Sequence, residues 1–186
     1  MLAPVDVTNI RIETERLILR PWKESDLADF YEYAKVDGVG QMAGWIPHKS
    51  IEESRMILTM FIQEKKTLAM ELKETGRVIG SIGLEEPEPN DPHGEEKQGR
   101  EIGYVLGKDY WGRGLMPEAV REVIRYCFDV LHFDYVTCSH FKRNPQSQRV
   151  IEKTGFHFLE DSYFDTRYGT REVTRYHIQY NPHKEI

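Results

Sequence analysis

The sequence is poor in cysteine, with only Cys127 and Cys138 among its 186 residues. Two cysteines make neither a disulfide framework nor a cysteine-based metal cluster. Each lies within an apolar pattern, which predicts a buried core thiol. We therefore expect neither a disulfide scaffold nor a metal site.

Long hydrophobic runs and an apolar leader are also missing. No apolar run approaches the roughly 18 residues that are needed to cross a bilayer. The first ten residues, MLAPVDVTNI, lack the basic start and the apolar block of a signal peptide. These features predict a cytoplasmic protein that does not associate with membranes.

The sequence has no excess of positive charge. Its formal net charge is −6, whereas general nucleic-acid binding requires a basic surface, so no nucleic-acid partner is expected. The charge is nevertheless uneven, because residues 107–153 carry eight Lys or Arg side chains against six Asp or Glu. This basic island is equally consistent with a local anion site and with chance.

The sequence does contain enough apolar material for a core, at 39% hydrophobic and 30% charged residues, which predicts a single domain over residues 1–186. Hydrophobic periodicity predicts strands at 14–22, 67–72, 78–84, 101–107, 134–140, 156–164 and 171–180, and helices at 24–34, 50–66, 115–133 and 145–154. The polar stretch 85–100, with three prolines, is predicted to be a mobile surface loop.

The order of these elements predicts the fold class. The central strand–helix–strand unit requires a parallel pair with a right-handed crossover, whereas the hairpins at either end make the other pairs antiparallel. We therefore expect an α/β (α+β) protein with a mixed, mostly antiparallel sheet that is flanked by helices.

The most informative stretch is KDYWGRG, residues 108–114, which lies between a predicted strand and the longest helix. Glycines let backbone N–H groups converge without a Cβ in the way, and a helix start adds unpaired N–H groups with a partial positive charge. Together with Arg113 they predict a pocket for phosphate oxygens. A tight turn that simply needs glycine explains the pattern equally well. Pro117 stands where a dinucleotide fingerprint needs its third glycine, and the P-loop pattern is absent.

The longer stretch GYVLGKDYWGRGLMPEAV resembles the acyl-CoA pyrophosphate loop of the GNAT N-acetyltransferase superfamily. TERLILRPW, GWIPHKSIEES and NPQSQRVIEKTGF are similar to segments of its branch of ribosomal-protein N-terminal (alanine/serine) acetyltransferases. The resemblance covers about residues 12–180. It implies the GNAT acyl-CoA N-acyltransferase fold, acetyl-CoA as co-substrate, direct transfer to an amine in a ternary complex, and a homodimer as one assembly found in this branch.

The resemblance also implies which residues contact the co-substrate. The pyrophosphate would bind the backbone of residues 111–115, which are Trp111, Gly112, Arg113, Gly114 and Leu115, and the Arg113 side chain. The pantetheine arm would lie between strands 101–107 and 134–140, where N–H groups near Val105 and Leu106 could also serve the oxyanion. Asn144 would contact this arm, although a helix N-cap ahead of Pro145 explains it as well. Asp109 departs from the family, which often has Gln or Arg three positions before the first glycine.

The same resemblance assigns the proton transfers. Many members carry a Tyr seven residues after the Asn, and Ile151 takes that position here. In the ribosomal-protein branch the proposed acid is a Ser three residues after the Asn, which is Ser147, with an ordinary first-turn serine as the alternative. Glu101 is the first candidate for the general base, acting through water, and Glu85 and His140 compete with it.

Aromatic residues are the candidates for acceptor binding: Tyr33, Trp45, His48 and Tyr110 lie in segments that flank the acceptor cleft in this branch. The first expectation for the acceptor is the N-terminal α-amine of a protein such as a ribosomal protein, because its pKa of roughly 7.7–8.0 needs a weaker base than a lysine amine at about 10.4. The alternatives are a small amine (a polyamine, an amino acid or an antibiotic), a non-catalytic acyl-CoA-binding sensor, and a nucleotide-binding regulator.

Overall fold

The computed structural model describes residues 2–87 and 96–184, and in this part of the chain eight strands form one sheet. The strands are β1 (Ile12–Glu13), β2 (Leu17–Pro21), β3 (Thr67–Leu72), β4 (Val78–Glu85), β5 (Gly99–Leu106), β6 (Tyr135–Phe141), β7 (His157–Asp165) and β8 (Arg171–Tyr180). The helices are α1 (Leu27–Ala34), α2 (Ile51–Glu64), α3 (Leu115–Asp129) and α4 (Pro145–Lys153). Short 3-10 turns occupy Glu24–Asp26, Gly40–Ala43 and Lys108–Tyr110.

The strand order is β1-β2-β3-β4-β5-β6-β8-β7, and among these eight described strands only β5 and β6 pair in parallel. Helix α3 makes the crossover between these two strands. The predicted fold class, a mixed and mostly antiparallel sheet flanked by helices, is therefore confirmed.

Most element boundaries shift by one to three residues from the sequence-based expectation, and three differences are informative. β1 is an additional two-residue strand that pairs with β2. α3 ends at Asp129 rather than at 133, because His132 adopts a positive φ of 56° and the Phe133 amide turns back to the Cys127 carbonyl. The predicted loop 85–100 is shorter, since β4 includes Glu85 and β5 begins at Gly99; residues 88–95 of that loop lie outside the described residues.

Each face of the sheet covers a hydrophobic core. One core lies between the sheet and helices α3 and α4, and the other lies between the sheet and helices α1 and α2. α3 buries one continuous stripe because its apolar residues recur at helical spacing: Leu115, Met116, Ala119, Val120, Val123, Ile124, Cys127 and Phe128. Both cysteines are buried free thiols, as predicted, and burial raises their pKa.

The parallel pair is short, and this feature creates a cleft in the sheet. β5 and β6 pair only from Gly99–Tyr135 to Glu101–Thr137. Beyond that point β5 follows β4 to its end and β6 follows β8. Because each strand stays with its other neighbour, a gap opens between their carboxyl-terminal halves.

Candidate active site

A cavity of about 480 Å³ occupies the gap between β5 and β6. That volume is within the range of small-molecule binding sites. Residues of the 110–117 segment, one side of α4 from its first turn to Lys153, and the Gly40–Ala43 turn form other parts of its wall. Most of the residues predicted from the sequence line it: Glu101, Val105, Leu106, Tyr110, Trp111, Gly112, Gly114, Leu115, Asn144 and Ser147, together with the competing bases Glu85 and His140.

Four predicted residues do not line this cavity. Arg113 directs its guanidinium over the Tyr110 ring, 5.3 Å from the ring centroid. Tyr33 and Trp45 pack in the core under α1 and α2, and His48 places Nδ1 2.7 Å from the Ser54 hydroxyl. Tyr33, Trp45 and His48 thus pack against other side chains, whereas Arg113 is exposed. A direct role of the four residues in binding stays a prediction.

Trp45 nevertheless shapes the cavity indirectly. Its indole lies against Gly40 so closely that a Cβ at position 40 would overlap the ring. Gly40 begins the turn that carries Met42 and Ala43 into the cavity wall. The indole therefore fixes a wall of the cleft without contacting its interior.

The glycine turn presents a group of free amides. Gly112 and Gly114 both have a φ of 75°, a left-handed conformation that favours glycine. Among residues 2–87 and 96–184, no group accepts a hydrogen bond from the backbone N–H of residues 112–116. Five donors at the start of the 15-residue helix α3 are suited to the oxygens of a diphosphate.

The register of β5 determines which of its amides face the gap. Gly107 donates to the Ile79 carbonyl at 2.8 Å, which identifies position 107 as bonded to β4. Because bonding direction alternates along an antiparallel strand, the Val105 amide faces β4 and the Leu106 amide faces the gap. The Leu106 carbonyl accepts a hydrogen bond from the Trp111 indole at 2.8 Å. Of the two predicted oxyanion donors, Leu106 therefore has the suitable direction.

The start of α4 brings Asn144 and Ser147 to the cavity. Asn144 Oδ1 accepts a hydrogen bond from the Ser147 amide at 3.1 Å, so Asn144 does serve as the helix N-cap. Its Nδ2 donates to the Met42 carbonyl at 3.5 Å, which is a weak contact. The cap holds Ser147 in the first turn, where its hydroxyl lies beside β5.

Tyr104 is a functional candidate that sequence reasoning missed. Its hydroxyl oxygen lies 2.7 Å from Ser147 Oγ, and it lines the cavity from β5. Burial raises the pKa of Tyr104 well above its ordinary value, so the phenol keeps its proton at neutral pH. Tyr104 can therefore donate to Ser147 Oγ and leave the Ser147 proton available to a group in the cavity.

Carboxylates gather at another part of the cavity. Glu85 and Glu101 are register partners on β4 and β5, and Glu86 lines the cavity beside them. Adjacent like charges repel each other. Ser139 donates to Glu101 at 2.6 Å, and the Lys66 ammonium lies 2.8 Å from Glu85, which offsets this repulsion.

His140, the remaining candidate base, lies deep in the protein at 4% exposure. Its Nδ1 is 2.9 Å from the Phe141 carbonyl, and its ring stacks on His177 at 5.3 Å. Burial lowers the pKa of His140. A neutral imidazole could accept a proton, but its packing against His177 makes it less accessible than Glu101.

Residues 16–157 match the family model described as "Acetyltransferase (GNAT) domain". The chain belongs to the GNAT acetyltransferase family. The chain is also 28% identical over 150 residues to a Bacillus subtilis (strain 168) protein named "Uncharacterized N-acetyltransferase YoaA", covering 78% of this chain and 81% of that one.

Two solved structures illustrate the shared GNAT fold. Ribosomal-protein-S5-alanine acetyltransferase from Vibrio fischeri has a TM-score of 0.71 at 19% identity, covering 96% of this chain and 100% of that one. Spermidine N-acetyltransferase from Vibrio cholerae, in complex with CoA and spermine, has a TM-score of 0.70 at 17% identity, covering 89% and 96%. At these identities the likeness shows the fold alone.

Membership of the GNAT family makes the chain an N-acetyltransferase, and acetyl-CoA is the co-substrate of that family. The family and the enzyme class predicted from the sequence are confirmed. No group of three or more His, Cys, Asp or Glu side chains within residues 2–87 and 96–184 could hold a metal ion. In the same part of the chain, no helix combines the length and apolar character needed to span a membrane.

Proposed function

We propose that this GNAT enzyme acetylates a cationic primary amine, with the N-terminal α-amine of a protein such as a ribosomal protein as the first acceptor. Residues 1–186 act as one domain in this proposal. One observation carries it: the cavity has free backbone amides at the glycine turn and three carboxylates at the ends of β4 and β5. An anionic co-substrate and a cationic acceptor fit such a division of charge.

The glycine turn would hold the co-substrate. The backbone amides of residues 112–116 would receive the diphosphate, and Arg149 and Lys153 on α4 add positive charge to the same cavity. Acetyl-CoA supplies a thioester, whose carbonyl carbon takes the amine and whose sulfur leaves as the CoA thiol. The Leu106 amide, which faces the gap, would donate to the carbonyl oxygen as negative charge develops on it.

The carboxylates would receive the acceptor. Glu101 is held by the Ser139 hydroxyl and would take the proton of the incoming ammonium through water. An α-amine with a pKa of roughly 7.7–8.0 is partly neutral at physiological pH, so a weak base suffices. The neighbour that is named for alanine acetylation of a ribosomal protein supports this choice of acceptor.

Ser147 would supply the hydrogen bond to the leaving sulfur. A serine hydroxyl is a poor acid in water, so it needs a partner that directs its proton. Tyr104 provides this partner, since its hydroxyl lies 2.7 Å from Ser147 Oγ and stays protonated. The Tyr104–Ser147 pair thereby supports the role that the family resemblance gives to Ser147.

A polyamine is the second candidate acceptor. Glu85, Glu86 and Glu101 together offer more negative charge than a single α-ammonium requires. The structural neighbour named as a spermidine N-acetyltransferase supports this alternative. A non-catalytic acyl-CoA sensor would share the co-substrate end of the cavity but would not turn over any amine.

Release of the CoA thiol, measured against a matched acceptor panel, tests these alternatives. The panel has three members: peptides with a free N-terminus, peptides with a blocked N-terminus whose amine is that of an internal lysine, and spermidine. We expect turnover of the free peptides and none of the blocked ones. Turnover of spermidine alone would replace the first acceptor by the second. Acetyl-CoA binding without turnover of any member would indicate the sensor.

A further inference from the structure

Arg16 reaches the glycine turn from a distant part of the sequence. It lies in the short connection between β1 and β2, 97 positions before Arg113. Its Nη1 donates to the Arg113 backbone carbonyl at 2.9 Å. Its Nε donates to Glu118 at 2.8 Å, and its Nη2 lies 2.7 Å from the same carboxylate oxygen. One guanidinium therefore joins the turn to the first turn of α3.

Glu118 fixes this guanidinium in place. Its carboxylate also accepts hydrogen bonds from the Arg16 amide at 2.8 Å and from the Thr14 hydroxyl at 2.5 Å. Burial alone would raise the pKa of Glu118, but the hydrogen bonds from Thr14 and Arg16 outweigh it and lower that pKa. The carboxylate is thus ionised and fully engaged, and we define Thr14, Arg16 and Glu118 as the brace.

The brace determines where one peptide plane points. In a trans peptide the carbonyl of residue 113 and the N–H of residue 114 point in opposite directions. Arg16 does not line the cavity, whereas Gly114 and Leu115 do. Because Arg16 holds the Arg113 carbonyl on the side of the brace, the Gly114 N–H points to the opposite side, where the cavity lies.

The brace holds the middle of a turn whose ends are tied by hydrogen bonds from the Trp111 indole to the Leu106 carbonyl and from the Glu118 amide to the Gly114 carbonyl. Glycines flank Arg113 on both sides, and each has access to many backbone conformations. The amides of residues 112–116 have no partner among the described residues, so the hydrogen bonds of those amides do not hold the turn. Ordering a flexible turn on binding costs affinity.

We propose that Arg16 is a positioning residue that sets the affinity for the co-substrate diphosphate through the 113–114 peptide, without touching the co-substrate. This inference rests on the proposed function, because it assumes that the glycine turn binds the diphosphate of acetyl-CoA. It assigns the N-terminal strands β1 and β2, which lie at the edge of the sheet, a part in co-substrate recognition.

Calorimetric binding of CoA and of pantetheine, which lacks the diphosphate, tests the proposal. We expect Arg16→Gln to weaken CoA binding roughly tenfold, comparable to one hydrogen bond to a charged group, and to leave pantetheine binding unchanged. Arg16→Lys should weaken CoA binding about as much, because an ammonium cannot bridge a carbonyl and a carboxylate in this geometry. Full affinity in Arg16→Lys would indicate direct charge attraction and overturn the positioning role.

Glu118→Gln provides a second test whose sign is decisive. If Glu118 were only a negative charge near the diphosphate, its removal would strengthen CoA binding. As part of the brace, Glu118→Gln should weaken CoA binding severalfold. This variant also keeps the proposal testable if Arg16→Gln does not fold. Stronger CoA binding in Glu118→Gln would contradict the brace.

Two further variants separate this inference from the proposed function. Arg11→Gln is the matched control, because Arg11 is an exposed arginine that pairs with Glu13 and lies outside the brace; it should bind CoA as the natural protein does. Gly114→Trp crowds the turn itself and should abolish CoA binding. If Gly114→Trp binds normally, the diphosphate site of the proposed function is wrong. If Gly114→Trp fails to bind but Arg16→Gln binds normally, only the brace is wrong.

Discussion

The hydroxyl groups of Tyr104 and Ser147 lie 2.7 Å apart and join β5 to α4 at the cavity. The phenol can donate to Ser147 Oγ and leave the serine proton to the cavity. With Tyr104 in this role, Tyr104→Phe should lower kcat roughly tenfold, as expected for the loss of one hydrogen bond in the transition state. The affinity for CoA should change little, since the ring remains in place. Steady-state kinetics and calorimetry measure the two quantities.

Ser147→Ala should reduce kcat by a similar factor, and combining it with Tyr104→Phe should add little, because the two hydroxyl groups act as one unit. Tyr126→Phe on α3 is the control, as Tyr126 does not line the cavity. Fully additive losses in kcat would mean that Tyr104 and Ser147 act independently.

Glu101→Gln should lower kcat by about 100-fold with little change in CoA affinity. The amide cannot accept the proton of the ammonium, and general base catalysis contributes roughly 10²–10⁴-fold. Glu85→Gln removes the competing carboxylate on the neighbouring strand, which Lys66 already engages, and should lower kcat less than Glu101→Gln does. A larger loss in Glu85→Gln than in Glu101→Gln would transfer the role of the base to Glu85.

The fold could be predicted because it depends on local periodicity. The apolar stripe of α3 is visible within a few helical turns of sequence, and the alternation of apolar and polar residues in a strand is visible within a few residues. The length of the β5–β6 pairing could not be predicted in this way. It depends on β4 and β8 holding their partners apart, which is a property of the whole sheet.

The candidate site residues that lie in local family motifs are brought to one cavity, whereas contacts between distant parts of the chain could not be predicted from the sequence. The glycine turn, Asn144 and Ser147 stand in quotable motifs and do line one cavity. Tyr104 was missed because it follows the same two-residue period as Ile102 and Leu106, which is the pattern of a core residue. Arg16 contacts Arg113, which lies 97 positions later in the sequence, and local sequence patterns do not predict a contact at such a separation.

Two stacked histidines predict a pH-dependent stability. Burial lowers the pKa of His140 and of His177, and the neighbouring His140 lowers that of His177 further. An unfolded histidine has a pKa of about 6.5, so below that pH the unfolded chain binds more protons than the folded one. The contribution of this pair to the free energy of unfolding is therefore fully present above about pH 6.5 and is lost as the pH falls.

Urea unfolding at pH 7.5 and pH 5.5, followed by tryptophan fluorescence, measures this effect. The free energy of unfolding should be lower at pH 5.5, and His177→Phe should reduce the difference, because one of the two buried imidazoles is removed. A difference that is unchanged in His177→Phe would assign the pH dependence to other groups.

A buried ion pair on β2 predicts a loss of stability that is separate from the site. Arg20 makes two hydrogen bonds to Asp26, at 2.8 and 2.9 Å, and a third to Glu71 at 2.6 Å. Asp26→Asn leaves the buried guanidinium with one carboxylate fewer, which should cost about 3 kcal/mol of unfolding free energy. Urea unfolding measures this loss.

Arg11→Gln is again the matched control, because its exposed pair with Glu13 is worth less than about 1 kcal/mol. Arg20 and Asp26 do not line the cavity. CoA affinity of Asp26→Asn, measured well below its unfolding temperature, should therefore equal that of the natural protein. Equal stability of Asp26→Asn and Arg11→Gln would mean that the Arg20–Asp26 pair is solvated in solution. Weaker CoA binding in folded Asp26→Asn would mean that a shift of β2 reaches the glycine turn through Arg16.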